Sequence, residues 1–224
     1  MVHVPKTAGT SLFGALARFY GPHRCCEHVE ALLLPQPSPA VLSHLQDFQV
    51  LSGHVPVDYV AYFAHAGFKP LTAVRDPADQ FFSHIAHILA EESLSPFLQG
   101  IRDKAAVSVG HLLKHATDDE LAFFESPQSK PIFGAGFEWR SARLDDRVAW
   151  LRRTYLAVVA TETMDRDLAW LMDLPDDAAS APFPRLNVRR YGRDDLTSSQ
   201  QGMLDDLLRE DRALHRALAL LPAV

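Results

Sequence analysis

Val2-His3-Val4-Pro5-Lys6-Thr7-Ala8-Gly9-Thr10-Ser11-Leu12 is the stretch that decides the fold. It combines a short apolar strand, a turn of small and hydroxyl-bearing residues, and the beginning of a helix. A helix N-terminus offers unpaired backbone N–H groups and the positive end of the helix dipole, which together favour a bound anion. Residues 8–11 are small enough for a phosphate to approach closely, and Lys6 adds a full charge. The stretch therefore predicts a phosphate-binding loop.

The order of residues in this loop distinguishes it from an ordinary ATP or GTP site. A Walker A loop places its lysine after the second glycine, as G-x-x-x-x-G-K-[ST]. Here Lys6 comes first and one glycine, Gly9, follows it. A standard nucleoside triphosphate site is therefore disfavoured.

A second anion-binding pattern follows the apolar strand predicted at Leu71–Val74. Asp76 and Pro77 are typical of the start of a helix, so Arg75 should lie at a strand end and Ser83 on the next helix. A guanidinium can hold two phosphate oxygens, and a hydroxyl supplies a further donor. Taken alone, Arg75 fits an ion pair with a neighbouring aspartate equally well, and Ser83 fits a helix surface.

Together the two patterns resemble those of sulfotransferases that use 3′-phosphoadenosine 5′-phosphosulfate (PAPS), most closely the branch containing the carbohydrate 2-O-sulfotransferases. The segment Pro5–Ser11 resembles the 5′-phosphosulfate loop, and Arg75 with Ser83 resembles the 3′-phosphate motif. The resemblance implies that PAPS is bound by Lys6, Thr7, Ala8, Gly9, Thr10, Ser11, Arg75 and Ser83. Residues 186–190 resemble the late loop that closes over the nucleotide, where Arg190 would touch phosphate; a solvated basic loop fits Arg190 equally well.

The resemblance also implies two catalytic residues. Lys6 would stabilise the leaving phosphate, and His54 would remove the proton of the acceptor hydroxyl, since imidazole titrates near neutral pH. The segment Gly53-His54-Val55 resembles the Gly-His-Val segment that carries the proposed base in heparan sulfate 2-O-sulfotransferases. Ser52 replaces the first histidine of the fuller His-Gly-His pattern, which leaves the identity of the acceptor open. Glu27, His28 and Glu30 form an alternative base cluster.

The expected architecture is α/β: a P-loop-like three-layer sandwich with a mostly parallel central sheet flanked by helices, in a single domain over residues 1–224. Further strands are predicted at Phe48–Leu51 and Tyr155–Ala160. Helices are predicted at Leu12–Tyr20, Val41–Leu45, Pro77–Glu92, Val107–His115, Asp118–Phe124, Met164–Met172 and, from a capping box formed by Thr197 and Gln200, over one long C-terminal segment.

Composition narrows the functional classes. The 224 residues carry a formal net charge of −6, which argues against a general nucleic-acid binder and favours a neutral or lightly charged acceptor. Cys25 and Cys26 are adjacent and form no disulfide framework, and no residues have the spacing of metal ligands, so no metal is expected. No apolar run reaches the length of a membrane span, and a cytoplasmic location is expected. The four-residue first strand suggests a shortened N-terminus.

The sequence therefore predicts an enzyme that transfers a sulfuryl group from PAPS to a hydroxyl of a carbohydrate or small-molecule acceptor. One alternative is a P-loop-type nucleotide-dependent kinase, which shares the parent architecture but needs an acidic residue for Mg²⁺. The other is a sulfotransferase-like domain that binds nucleotide without turnover. The oligomeric state is not predicted by any of these patterns.

Overall fold

The computed structural model describes residues 1–34, 36–171 and 196–219, and within them the chain is an α/β protein. The described strands are β1 (Cys25–Cys26), β2 (Val50–Leu51), β3 (Leu71–Val74) and β4 (Ala157–Ala160). The described helices are α1 (Gly9–Tyr20), α2 (Glu30–Leu33), α3 (Pro39–Leu45), α4 (Pro77–Ala90), α5 (Pro96–Val107), α6 (Val109–His115), α7 (Asp118–Phe124), α8 (Ser129–Phe133), α9 (Leu144–Thr154), α10 (Met164–Leu171), α11 (Ser198–Leu207) and α12 (Arg209–Ala219), with 3₁₀ helices at Pro22–Arg24 and Val57–Ala66.

All pairing between these strands is parallel. β1 pairs with β2, and β3 pairs with β4 in a register that places Leu71 opposite Ala157. Val2 forms a parallel bridge to Gly53, just beyond β2, and another to Thr72 in β3. The segment around Val2 therefore lies between the two pairs of strands and connects them in the spatial order β1, β2, Val2, β3, β4.

One face of these strands packs against α1 and α10. Leu71 and Ala73 of β3 share a buried cluster with Leu12 and Leu16 of α1. This follows from the period of two in a strand, which sends alternate side chains to the same face. The amphipathic spacing of α1 matches it with buried residues on one side of that helix.

The opposite face is covered by the C-terminal half of the chain. Val74 of β3 and Val2 belong to a buried cluster with Ile132 of α8, Leu151 of α9 and Leu214 of α12. Helices therefore cover both faces of the paired strands, as expected for buried parallel pairing. The finer expectation, a P-loop-like sandwich, stays a prediction.

A separate apolar cluster joins the helices that follow β3. It contains Phe81 and Ile85 of α4, Ile101 of α5, Leu112 of α6 and Leu204 of α11. This cluster anchors α4 away from the strands, so that only the first part of α4 lies near the carboxyl end of β3.

The C-terminal segment departs from the prediction of one long helix, which is wrong. The helix breaks at Leu208, whose φ of −100° and ψ of 6° end α11 before α12 begins. The break lets Leu204 pack in the cluster of α4–α6 while Leu214 packs against the strands. The predicted helix over Val107–His115 is likewise interrupted, because Ser108 caps α6 by accepting a hydrogen bond from the His111 N–H at 2.9 Å.

Within the described residues, the longest apolar helical stretch falls short of what a membrane crossing would need.

Candidate functional site

The predicted phosphate loop connects the Val2 segment to α1. Lys6 and Ala8 have φ values of 65° and 61°, a conformation uncommon for residues other than glycine. Ala8 occupies the N-cap position of α1 and has no side-chain oxygen with which to cap the first turn. An uncapped helix start preceded by a strained turn is a geometry that proteins use to hold anions.

Four successive carbonyl oxygens of this loop accept hydrogen bonds from side chains. The Thr7 hydroxyl donates to the Val4 carbonyl at 2.9 Å, and Gln80 Nε2 donates to the Pro5 carbonyl at 2.8 Å. Arg75 Nη1 donates to the Lys6 carbonyl at 3.4 Å. The Thr161 hydroxyl lies 3.2 Å from the Thr7 carbonyl and 2.9 Å from the Val74 carbonyl, so these two acceptors share its single proton.

This arrangement orients the N–H groups of the loop. In a trans peptide unit the C=O and N–H bonds point in opposite directions. Side chains from α4 and from the ends of β3 and β4 hold the carbonyls of residues 5, 6 and 7. The N–H groups of residues 6, 7 and 8 therefore point away from those side chains, as in backbone cradles for phosphate.

The two predicted nucleotide motifs lie next to each other. Arg75 follows β3 directly, and its guanidinium reaches the Lys6 carbonyl across 69 residues of sequence. Ser83 lies on α4 one turn beyond Gln80, which contacts the loop at Pro5. The structure thus brings Arg75 and the first turn of α4 to the same edge as residues 5–8.

Gln128 holds the backbone of Arg75 from the other side. Its Oε1 accepts from the Arg75 N–H at 3.0 Å, and its Nε2 donates to the Arg75 carbonyl at 2.8 Å. A residue just past a strand end lacks a ladder partner, and the buried Gln128 side chain supplies both missing hydrogen bonds.

His54 lies at the end of β2, where a neighbouring carbonyl fixes its ring. His54 Nδ1 lies 2.8 Å from the His3 carbonyl oxygen. A carbonyl can only accept, so Nδ1 carries the proton and the lone pair of the neutral ring is on Nε2. The His54 N–H also donates to Glu30 Oε2 at 3.0 Å.

Glu30 belongs to the alternative base cluster, and the structure places it behind His54. Its Oε1 lies 3.2 Å from His28 Nδ1. Burial alone would raise the pKa of Glu30, but hydrogen bonds from its own backbone, from His28 and from the His54 backbone hold that pKa below its usual value. Glu30 therefore stays a carboxylate and serves to position the loop that carries His54.

Sequence reasoning missed His3. Its ring stacks on His54 with centroids 4.3 Å apart, and only 9% of the residue is exposed. Burial and the neighbouring His54 lower the pKa of His3 to about 4, so its ring is neutral at pH 7. Alternation along the first strand could have found it, because Val2 and Val4 point to one face and His3 must point to the other.

His84 of α4 packs against aromatic rings. Its ring centroid lies 5.1 Å from that of Phe123 and 5.9 Å from that of Phe124. Burial, followed by the positive charge of Lys6, lowers the pKa of His84 to about 4. His84 and Gln80 are four residues apart on α4 and lie on one helix face, which turns toward the loop.

Other predicted features fall elsewhere. Arg190 lies outside the described residues. Glu162, which follows β4, accepts a hydrogen bond from the Asp76 N–H at 2.8 Å. Among the residues that the structure describes, no cluster of three or more His, Cys, Asp or Glu side chains could hold a metal ion.

An apolar cavity of about 40 Å³ lies between β2 and the Val57–Ala66 helix. Neither Lys6 nor Arg75 lines this cavity, so it is separate from the two predicted motifs.

Comparison with known proteins gives no relative: no family model, no curated protein and no solved structure matches the chain.

Replacing Gly9 tests the packing of the loop. A Cβ at this position would overlap the His3 ring, whereas a Cβ at Gly202 in α11 would meet nothing within 4 Å. We expect Gly9→Ala to destabilise the protein by about 1–3 kcal/mol through overpacking. Gly202→Ala should stabilise it by about 0.5–1 kcal/mol through helix propensity. Urea unfolding of both variants measures this; a Gly9→Ala variant as stable as the wild type would show that His3 does not pack there.

The lowered pKa of His84 predicts a pH dependence of stability. The unfolded chain takes up this proton near pH 6.5, but the folded protein does so only near the lowered pKa of about 4. Stability contributed by neutral His84 is therefore lost as the pH falls from 6.5 toward 4, by at most about 1.4 kcal/mol per pH unit. Urea unfolding at pH 7, 6 and 5 measures the free energy of unfolding. That free energy should change less with pH for His84→Gln than for the wild type or for the control His23→Gln, at an exposed histidine. Parallel profiles would contradict the lowered pKa.

Proposed function

We propose that this protein is a PAPS-dependent sulfotransferase that transfers a sulfuryl group to a hydroxyl of a carbohydrate or small-molecule acceptor. The observation that carries the proposal is the contact between Arg75 Nη1 and the Lys6 carbonyl at 3.4 Å. The loop with Lys6 and the turn with Arg75 lie 69 residues apart in the chain, and each is weak evidence alone. In the structure both lie at one edge of the strands, in the order that PAPS recognition requires. A chance strand-turn-helix and a surface arginine have no reason to meet.

The strand order supports the proposal. Val2 lies between β2 and β3 with parallel bridges to both sides, so both motifs follow the carboxyl ends of neighbouring parallel segments. Ligands of open α/β sheets bind at that edge. We infer a P-loop-like three-layer sandwich in which α1 and α10 form one outer layer and α8, α9 and α12 form the other.

The cofactor would bind across the two motifs. The N–H groups of residues 6–8 and the start of α1, including Gly9, Thr10 and Ser11, would hold the 5′-phosphosulfate. Arg75 and Ser83 would hold the 3′-phosphate through charge-assisted and hydroxyl hydrogen bonds.

The chemistry requires one bond to break and one to form at sulfur. PAPS, when bound, would supply the sulfuryl group: the acceptor oxygen would bond to sulfur as the bond from sulfur to the bridging phosphate oxygen breaks, with its electron pair left on that oxygen. Lys6 would stabilise the negative charge that develops there. The hydroxyl proton moves to His54 Nε2, because the His3 carbonyl fixes the proton of the neutral ring on Nδ1.

Kinase activity is less well supported. A kinase needs a carboxylate at this edge to hold Mg²⁺. Asp76, which follows Arg75 at the end of β3, instead caps α4 by accepting a hydrogen bond from the Asp79 N–H at 3.0 Å. The net charge of −6 favours a neutral or lightly charged acceptor over a polyanion.

Binding of 3′-phosphoadenosine 5′-phosphate (PAP) tests the cofactor assignment. We expect PAP to bind more tightly than ATP in calorimetric titration, and Arg75→Ala to weaken PAP binding by about 10- to 100-fold, because the charged hydrogen bonds to the 3′-phosphate are lost. The control is Arg152→Ala, at an exposed arginine of α9. Preference for ATP with Mg²⁺ would support the kinase instead, and no nucleotide binding by folded protein would overturn both.

Sulfuryl transfer tests the role of His54. With ³⁵S-labelled PAPS and a panel of uncharged mono- and disaccharides, His54→Gln should lower the transfer rate by about 10²- to 10⁴-fold, the usual contribution of a general base. PAP affinity should stay within about twofold of the wild type, since His54 does not touch the nucleotide in this mechanism. The matched control is His23→Gln. Retained transfer in His54→Gln would exclude His54 as the base, and nucleotide binding without transfer to any acceptor would favour the non-catalytic domain.

A further inference from the structure

α12 is connected to the turn that follows β3 by two chains of hydrogen bonds. Asp211 and His215 are four residues apart in α12 and therefore lie on one face of the helix. Asp211 accepts a hydrogen bond from the Gln128 backbone, and His215 contacts the Glu162 side chain. The side chains of Gln128 and Glu162 in turn bind the backbone of the turn. The two chains end on consecutive residues, Arg75 and Asp76.

The first chain passes through Gln128. Asp211 is 1% exposed, and its two carboxylate oxygens accept from the Gln128 and Ser129 N–H groups, each at 2.9 Å. Asp211 Oδ1 also accepts from the Ser129 hydroxyl at 2.5 Å. These bonds fix the start of α8. From there the Gln128 side chain hydrogen-bonds to both the N–H and the carbonyl of Arg75.

The second chain passes through Glu162. Glu162 Oε2 lies 3.4 Å from His215 Nε2, and Glu162 Oε1 accepts from the Asp76 N–H. Although burial opposes ionisation, hydrogen bonds from His215 and Asp76 lower the pKa of Glu162 to about 2. The hydrogen bond to Glu162 raises the pKa of His215. The pair is therefore held together as an ion pair at mildly acidic pH.

Burial of the Asp211 carboxylate costs free energy, so Asp211 must do something that an apolar residue could not. Burial raises the pKa of Asp211 despite the hydrogen bonds that it accepts. An apolar residue of similar size would fill the same space without that cost. An apolar residue could not bind the two backbone N–H groups of Gln128 and Ser129. Those bonds fix the orientation of Gln128, whose side chain binds the Arg75 backbone.

We propose that Asp211 and His215 of α12 are positioning residues that set the nucleotide affinity of the site, Asp211 through Gln128 and Arg75, and His215 through Glu162 and Asp76. This inference rests on the proposed function for its ligand. Neither residue touches the nucleotide. A guanidinium that must match a phosphate bidentately loses affinity when its backbone shifts by a fraction of a bond length.

Hydrogen exchange followed by NMR on the full chain tests the positioning without any ligand. Asp211→Asn should speed hydrogen exchange at the Arg75 amide, and His215→Gln should speed it at the Asp76 amide. Both rates are compared with that of the Ile101 amide in α5, which reports global stability. Arg216→Ala, at an exposed position of α12, is the control. Gln128→Ala probes the first chain if Asp211→Asn does not fold. Unchanged exchange of Arg75 and Asp76 would overturn the proposal.

Calorimetry with PAP tests the functional consequence. Asp211→Asn or Gln128→Ala should weaken PAP binding by about 10-fold in the wild-type background, as is typical when an indirect support of a binding group is removed. The same changes should have no further effect in Arg75→Ala, because the group they position is gone. An equal loss in both backgrounds would overturn the proposal. Wild-type protein that binds no PAP would overturn the proposed function, and the exchange rates alone would then decide whether α12 holds the turn.

Discussion

Val2 is the residue on which the arrangement of strands depends. Its N–H donates to the Leu71 carbonyl at 2.8 Å, its carbonyl accepts from the Thr72 hydroxyl at 2.8 Å, and the next N–H, that of His3, donates to the Gly53 carbonyl at 2.9 Å. These bonds join β1 and β2 to β3 and β4. The loop after Val4 is therefore the continuation of the most central segment, and its position relative to Arg75 and His54 is fixed by backbone pairing on both sides.

The loop itself is shaped mainly by side chains from elsewhere. Thr7 is buried and bonds within the loop, while α4, the end of β3 and the end of β4 each supply one donor to a loop carbonyl. This explains how Lys6 and Ala8 keep a left-handed backbone without glycine. The strain is local, and the hydrogen bonds that oppose it come from three elements of the fold.

The sequence predicted much of the local structure, because periodicity and capping act over a few residues. β3 begins and ends where the apolar run Leu71–Val74 does, and α7 coincides with Asp118–Phe124. The same signals wrongly predicted one continuous helix through Leu208. The leucines on either side of it pack into two different clusters, Leu204 with α4–α6 and Leu214 against the strands. Helical periodicity cannot reveal that a helix must bend to reach a second core.

The prediction of the site was limited in a different way. Lys6, Arg75 and His54 belong to recognisable motifs. Arg75 directly follows β3, His54 lies shortly beyond β2, and Lys6 follows the Val2 segment. Gln80, Gln128 and Asp211 carry no local signal, because each acts on a residue at least 53 positions away. Such contacts exist only after the chain has folded.

The contact between Thr161 and Thr7 has a consequence for biosynthesis, because it spans 154 residues. The ribosome makes the predicted phosphate loop before it makes Thr161, and that hydrogen-bond donor follows about 8–30 seconds later, at roughly 5–20 residues per second. Until then the nascent chain carries the loop without its complete support. The loop therefore gains its full set of hydrogen bonds only after Thr161 has been made.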